Sequence, residues 1–105
     1  MSKTFAIDPY RGKIVEFCRK WKIREFSLFG SVLRDDFGPE SDIDVLVAFT
    51  DDARHTLFDL VDMEDELRTI FGRQVDLVSR RGIESSRNAV RRNAILNSAE
   101  EIYAA

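Results

Sequence analysis

Two aspartates stand two positions apart in Ser41-Asp42-Ile43-Asp44, at the head of the apolar, β-branched run Ile43-Asp44-Val45-Leu46-Val47-Ala48-Phe49. In a strand, residues two apart share a face, so both carboxylates project together while Ile43, Val45 and Val47 point the other way, into a core. Side by side, two carboxylates repel strongly. A divalent cation is the usual reason to tolerate that. Mg²⁺ suits such a site because it prefers carboxylate oxygens and leaves positions open for phosphate and water. Val75-Asp76-Leu77 repeats the pattern of one acid between apolar neighbours. If its strand lies beside the first, the acids of both can hold two ions roughly 3.5–4 Å apart, the spacing of in-line phosphoryl displacement. Gly30-Ser31 offers the complement. Glycine lets backbone approach a ligand closely, a helix start behind it presents N–H groups to phosphate, and Ser31 adds a hydroxyl. Arg34, one turn on, either contacts a phosphate or holds a loop carboxylate.

Positioning these residues requires a particular order of elements. Asp8-Pro9 reads as an N-cap followed by proline at the first helical position. Tyr10, Ile14, Phe17, Cys18 and Trp21 then form one apolar stripe, which predicts a helix over about residues 9–21. Residues 23–29 change to a strand-like, aromatic-rich pattern ended by Gly30. A short helical segment follows over 31–36, then a loop through Ser41 and the strand 43–49. Leu57, Leu60, Val61, Leu67, Ile70 and Phe71 mark a long amphipathic helix with an acidic outer face at Asp62, Asp65 and Glu66, and Gly72 stops it. Residues 75–79 form a third strand. A final helix over 84–97 is expected to bury Val90, Ala94 and Ile95. Glu101-Ile102-Tyr103 is either the end of that helix or a short fourth strand. This is an α/β arrangement with a small sheet, one face covered by helices and the other partly open.

At 105 residues the chain is expected to be one domain, 1–105, with one modest core. A hydrophobic fraction of 44% with eight Phe argues for a globular fold. The net charge of −3 argues against a dedicated nucleic-acid surface. A single cysteine forms no internal disulfide. There is no apolar leader at the start and no apolar run of the ~18 residues a membrane span needs, so a cytoplasmic setting is expected.

Gly-Ser or Asp-x-Asp singly is a weak signal. Gly30-Ser31, then ten residues, then Asp42-Ile43-Asp44 is another matter: at ordinary residue usage, chance gives on the order of one such conjunction per thousand chains of this length. With Arg34, Ser41, Asp76 and the run Gly72-Arg73-Gln74-Val75-Asp76-Leu77-Val78, the chain resembles the minimal nucleotidyltransferases of the DNA polymerase β superfamily, from the first helix to Ile102-Tyr103. The resemblance implies a small mixed sheet flanked by helices, Mg²⁺ and a nucleoside triphosphate, with ATP expected. It implies Asp42, Asp44 and Asp76 as catalytic metal ligands, Gly30 and Ser31 holding the triphosphate, and Arg34 and Ser41 as further nucleotide-binding candidates. Asp35 departs from the pattern, since many relatives place glycine after the arginine.

Stand-alone small members of this family resemble antitoxins whose partners are helical HEPN toxins, and some of them attach AMP to a toxin tyrosine. By that analogy the expected activity is transfer of AMP from ATP to a protein hydroxyl within a hetero-oligomer. The alternative is a binding module that neutralises its partner by occlusion. A transferase acting on RNA or an antibiotic fits less well, because 105 residues leave no room for an acceptor-gripping domain. Other residues read as structural. His55 is expected at the surface or in a cap, Cys18 in the core, and Trp21 and the Phe residues in packing. Arg80, Arg81, Arg87, Arg91 and Arg92 read as a solvated face or, alternatively, a phosphate- or partner-facing patch.

Overall fold

The computed structural model describes residues 7–30 and 41–105. Pro9 sits in a 3₁₀ turn, Asp8–Tyr10, that leads into α1, Arg11–Lys20. Asp8 is inside that turn rather than capping α1, because its carboxylate is taken up by Arg11 Nε, which donates to it at 2.7 Å. The expected stripe packs inward: Ile14, Phe17 and Cys18 are buried, with Tyr10 and Trp21 against them.

The strands β1 (Ile23–Phe29), β2 (Ile43–Phe49) and β3 (Val75–Ser79) fall where the sequence places them. The tail resolves as a strand, β4 (Glu100–Ala104), paired antiparallel with β1. The sheet order is β3-β2-β1-β4, with β2 and β3 parallel and the other pairs antiparallel. A parallel pair needs a crossover, and α2 (Leu57–Phe71) supplies it.

Thr56 starts α2 with a reciprocal capping box to Asp59, and Gly72, left-handed at φ +67°, ends it. The buried line of α2 is Met63, Leu67 and Phe71. Leu57 and Val61, expected on that stripe, are 79% and 57% exposed. At 100° per residue Val61 lies roughly 200° round the helix from Met63, so both cannot face the sheet. The acidic face is not purely outward either. Glu66 accepts from Trp21 Nε1 at 2.7 Å and Lys20 Nζ at 3.0 Å.

The final helix expected over 84–97 is α4 (Ala89–Ser98), which starts later, and a short separate helix, α3 (Arg80–Glu84), precedes it. Each has its own side-chain cap: Ser79 Oγ accepts from the Gly82 N–H, and Asn88 Oδ1 from the Arg91 N–H. Each cap starts its own helix, and residues 85–88 separate the two. Of Val90, Ala94 and Ile95, only Ile95 is buried, and Val90 is 82% exposed.

These helices lie on both faces. Ile43, Val45 and Val47 join Phe26, Leu28 and Val75 under α1 and α2. On the opposite face a smaller cluster of Phe29, Leu46, Ile83 and Ile95 packs under α3 and α4. The remainder of that second face carries the polar residues of β2 and β3.

Candidate functional site

Strand register builds the site. Asp44 is the cross-strand partner of Asp76 in the parallel pair and of Phe29 in the antiparallel pair. Because Val45 and Val75 are held in the core, the alternation of the pleat sends both acids to the opposite face. Asp44 is half-buried and Asp76 exposed.

Gly30 follows Phe29 with φ +75°. A β-carbon built there would overlap Asp44 Oδ2 and lie 3.3 Å from its Cγ. The missing side chain is therefore the space that the Asp44 carboxylate occupies. This position requires glycine twice over, for backbone angle and for room.

The sheet residues Phe29, Gly30, Asp44 and Asp76 form one wall of an open cleft of about 320 Å³; Arg91, Ala94, Ile95 and Ser98 of α4 form the other. The Arg91 guanidinium has no hydrogen-bond or ion-pair partner among the described residues. Arg91 lies in the first turn of α4, its N–H donating to the capping Asn88 Oδ1 at 3.0 Å. Ser98 Oγ is engaged, donating to Ala94 O at 2.6 Å.

The expected site residues are thus divided. Gly30, Asp44 and Asp76 share the cleft. Asp42 is exposed, just ahead of β2, and is not part of the cleft wall. Ser41 contributes its carbonyl, which accepts from Arg73 Nη1 at 3.2 Å and ties the entry of β2 to the α2–β3 turn. Ser31 and Arg34, like the departure at Asp35, lie outside the described residues. Among the described residues no three His, Cys, Asp or Glu side chains gather as a metal-holding group; the cleft presents a pair. That pair is all-oxygen and beside open space, which fits Mg²⁺, an ion commonly held by one or two carboxylates plus substrate phosphate and water.

The basic patch also separates. Arg80 is bound by Glu84 at 3.1 Å and Glu25 at 3.5 Å, and Arg92 donates to Ser86 O at 2.8 Å. Arg91 is the member that enters the cleft, an assignment legible only once the start of α4 is known. His55 is half-buried rather than a surface residue, and it engages the carbonyl of Trp21, the C-cap residue of α1. Its ring packs against Trp21 and Phe49, and Nε2 lies 2.7 Å from Trp21 O. Cys18 is the expected core thiol, fully buried, and burial pushes its pKa up from 9.0 to about 12.

A family model described as a nucleotidyltransferase domain matches residues 12–101. The chain belongs to the nucleotidyltransferase family. A candidate protein adenylyltransferase of Methanocaldococcus jannaschii, MJ0435, is 31% identical over 96 residues, spanning 91% of this chain and 97% of that protein. The solved structure of a candidate minimal nucleotidyltransferase superposes with TM-score 0.69 at 30% identity, over 91% of this chain and 92% of that one. A chain in the structure of tri-AMPylated Shewanella oneidensis HEPN toxin in complex with MNT antitoxin shares the fold, with TM-score 0.65 at 20% identity, over 95% of this chain and 74% of that one. The four-stranded mixed sheet flanked by helices is thus the minimal nucleotidyltransferase fold. Among the described residues no helix is long and apolar enough to cross a membrane.

Proposed function

We propose that this nucleotidyltransferase transfers AMP from ATP to a hydroxyl of a partner protein, a HEPN-type toxin, as a single catalytic domain working in the cytoplasm. The observation that carries the proposal is the in-register pair Asp44 and Asp76, set against Gly30 on one side of a cleft with Arg91 on the other. Support for the acceptor comes from the relatives, one named for protein adenylylation and one solved with an AMPylated HEPN toxin.

Asp44 and Asp76 would hold Mg²⁺, with Asp42 as the further ligand a two-ion site needs. The metal would supply Lewis-acid stabilisation of charge at the α-phosphate and on the departing pyrophosphate. Every other contribution comes from the chain itself. Gly30 leaves room for the Asp44 carboxylate, and its backbone, with Ser31, Arg34 and Ser41, is proposed to meet the polyphosphate. Arg91 meets phosphate oxygens from the α4 side with a charge-assisted fork. The acceptor oxygen forms a bond to the α-phosphorus as the bond from that phosphorus to the bridging oxygen of the β-phosphate breaks. Pyrophosphate leaves with that electron pair. Asp76, the more exposed of the pair, takes the hydroxyl proton as general base.

The test is intact-mass spectrometry of the co-expressed partner after incubation with ATP and Mg²⁺. The partner should gain one or more AMP units with the wild type and none with a folded Asp44→Asn variant. Full transfer by that variant would overturn the proposal. Protection of cells by the same transfer-dead variant would instead favour neutralisation by occlusion.

A further inference from the structure

A larger cavity, of about 590 Å³, opens at the far end of the same strands. Asp44 and Asp76 stand near the amino ends of the parallel pair, whereas this cavity is walled by Val47 to Thr50 at the carboxyl end of β2 and by Ser79 at the end of β3. Asp44 and Phe49 are five strand residues apart, about 16 Å, so the two openings are separate. Open α/β sheets commonly bind ligands outside the carboxyl ends of their strands. The volume falls within the roughly 300–1,000 Å³ range of small-molecule sites.

Its walls differ in character from the rest of the molecule. Four arginines, Arg24, Arg54, Arg80 and Arg81, face two carboxylates, Asp51 and Glu84, in a chain whose net charge is −3. Two of the arginines are spent locally: Arg80 is bound by Glu84 and Glu25, and Arg24 lies 4.0 Å from Glu25. The other two retain their charge. Arg54 Nη1 donates to the carbonyls of Asp51 and Ala53, both at 2.9 Å. Carbonyls fix the guanidinium in place without neutralising it, which preorganises the fork for an anion. The Arg81 side chain has no hydrogen-bond or ion-pair partner among the described residues. Beside them Phe49 and Leu60, both partly buried, add a small apolar surface, with the fully buried Val47 behind.

An anchored cation, a free cation and the apolar edges of Phe49 and Leu60 together select a molecule with an anionic end and a flat or apolar body. We propose that this cavity binds a small organic phosphate of mononucleotide size, its phosphate on Arg54 and Arg81 and its body over Phe49 and Leu60. The site is independent of the carboxylate cleft and needs no metal. That independence makes it separable by experiment from the proposed transfer reaction.

The experiment is calorimetric titration with AMP in EDTA, so that any metal-dependent binding in the carboxylate cleft is suppressed. Wild type and Asp44→Asn should bind AMP with equal affinity. Arg81→Glu, a change at an exposed position, should lose at least about tenfold, as expected when a charge-assisted contact is replaced by repulsion, with its melting temperature and its transfer activity unchanged. Arg54→Lys, which keeps charge but not the fork, should fall between. Inorganic pyrophosphate should bind more weakly than AMP, and adenosine should not bind measurably. No AMP binding in EDTA at millimolar concentration would overturn the proposal. So would equal affinity in Arg81→Glu, loss of binding in Asp44→Asn, or pyrophosphate binding without AMP binding. A failure of toxin modification leaves each of these readings intact, so the two proposals fail separately.

Discussion

At Gly30 the constraint falls on a residue without a side chain. A methyl group there meets the Asp44 carboxylate and must also adopt φ +75°. Gly72 has nearly the same backbone, φ +67°, but open space where a β-carbon would go. The two positions therefore separate strain from displacement. Gly30→Ala and Gly72→Ala should each lower stability by about 1–2 kcal/mol from the left-handed backbone. Only Gly30→Ala should also lose transfer activity, by about a hundredfold, as a misplaced reacting group does. Equal activity in the two variants would remove Asp44 from the reaction. Cys18 makes a different point, about pH. Its folded pKa of about 12 lies above the ordinary thiol value of 9.0 because burial disfavours the thiolate. Below pH 9 both states keep the proton and the group contributes no pH dependence. From pH 9 to 12 the unfolded chain loses it and the folded chain does not, so stability falls as pH rises. Denaturant melts across that range should show a shallower fall for Cys18→Ala than for wild type, although the variant starts from lower stability. In the native protein the thiol should stay inert to alkylation at pH 8.

The edge strand of the sheet is where an element, not a residue, sets the site. β3 lies at the outer edge, and an N–H on its open side needs a partner. Glu64 of α2 provides one: Oε2 accepts from the Leu77 N–H at 3.0 Å, while Oε1 accepts from Arg68 Nη2 at 2.9 Å. Leu77 is next to Asp76, so α2 holds the strand that carries the second acid. Glu64→Ala should cost about 1–3 kcal/mol, accelerate amide exchange in residues 75–79 ahead of β2, and slow transfer without touching the cleft. Unchanged exchange in β3 would count against that coupling. The sequence announced β1, β2 and β3 because each is a short β-branched or aromatic run between clear breakers. Period-two alternation then placed Asp44 and Asp76 on one face once their strands were taken as neighbours. Other features were not local. β4 contains only Ile102 and Tyr103 as large apolar residues, and its partners Glu25 to Leu28 lie far away in the chain. The late start of α4 depends on Asn88 acting as its cap, and Ser, Asn and Arg in residues 85–88 suit helix and turn alike. Arg91 lies in the first turn of α4 and lines the cleft, so its charge was legible in the sequence and its destination was not. The exposed Leu57 and Val61 show the same limit, since a helical period gives a stripe but not which edge of it touches the sheet.

For the molecule as a whole, the carboxylate pair is a stored repulsion that binding can relieve. Asp44 and Asp76 are cross-strand partners in register, and like charges at such positions destabilise a sheet. A ligand that binds only the folded state adds RT ln(1 + [L]/Kd), about 2.7 kcal/mol at a hundredfold excess. For a chain of this length that corresponds to a rise in melting temperature on the order of ten degrees or more. Any ATP bound without metal, in either opening, contributes equally in EDTA and in Mg²⁺, so the Mg²⁺-dependent part of the rise isolates the carboxylates. Wild type should melt higher in Mg²⁺ with ATP than in EDTA with ATP. Asp76→Asn removes one donor and the repulsion together: its metal-free form should melt at or slightly above wild type, and its Mg²⁺-dependent increment should largely disappear. Both halves of that result are needed. A variant that is merely damaged melts lower without metal, and one whose acid has no part in binding keeps the full increment. An unchanged increment in Asp76→Asn would mean that the two acids share a cleft without sharing an ion, and the transfer chemistry would have to be carried without β3.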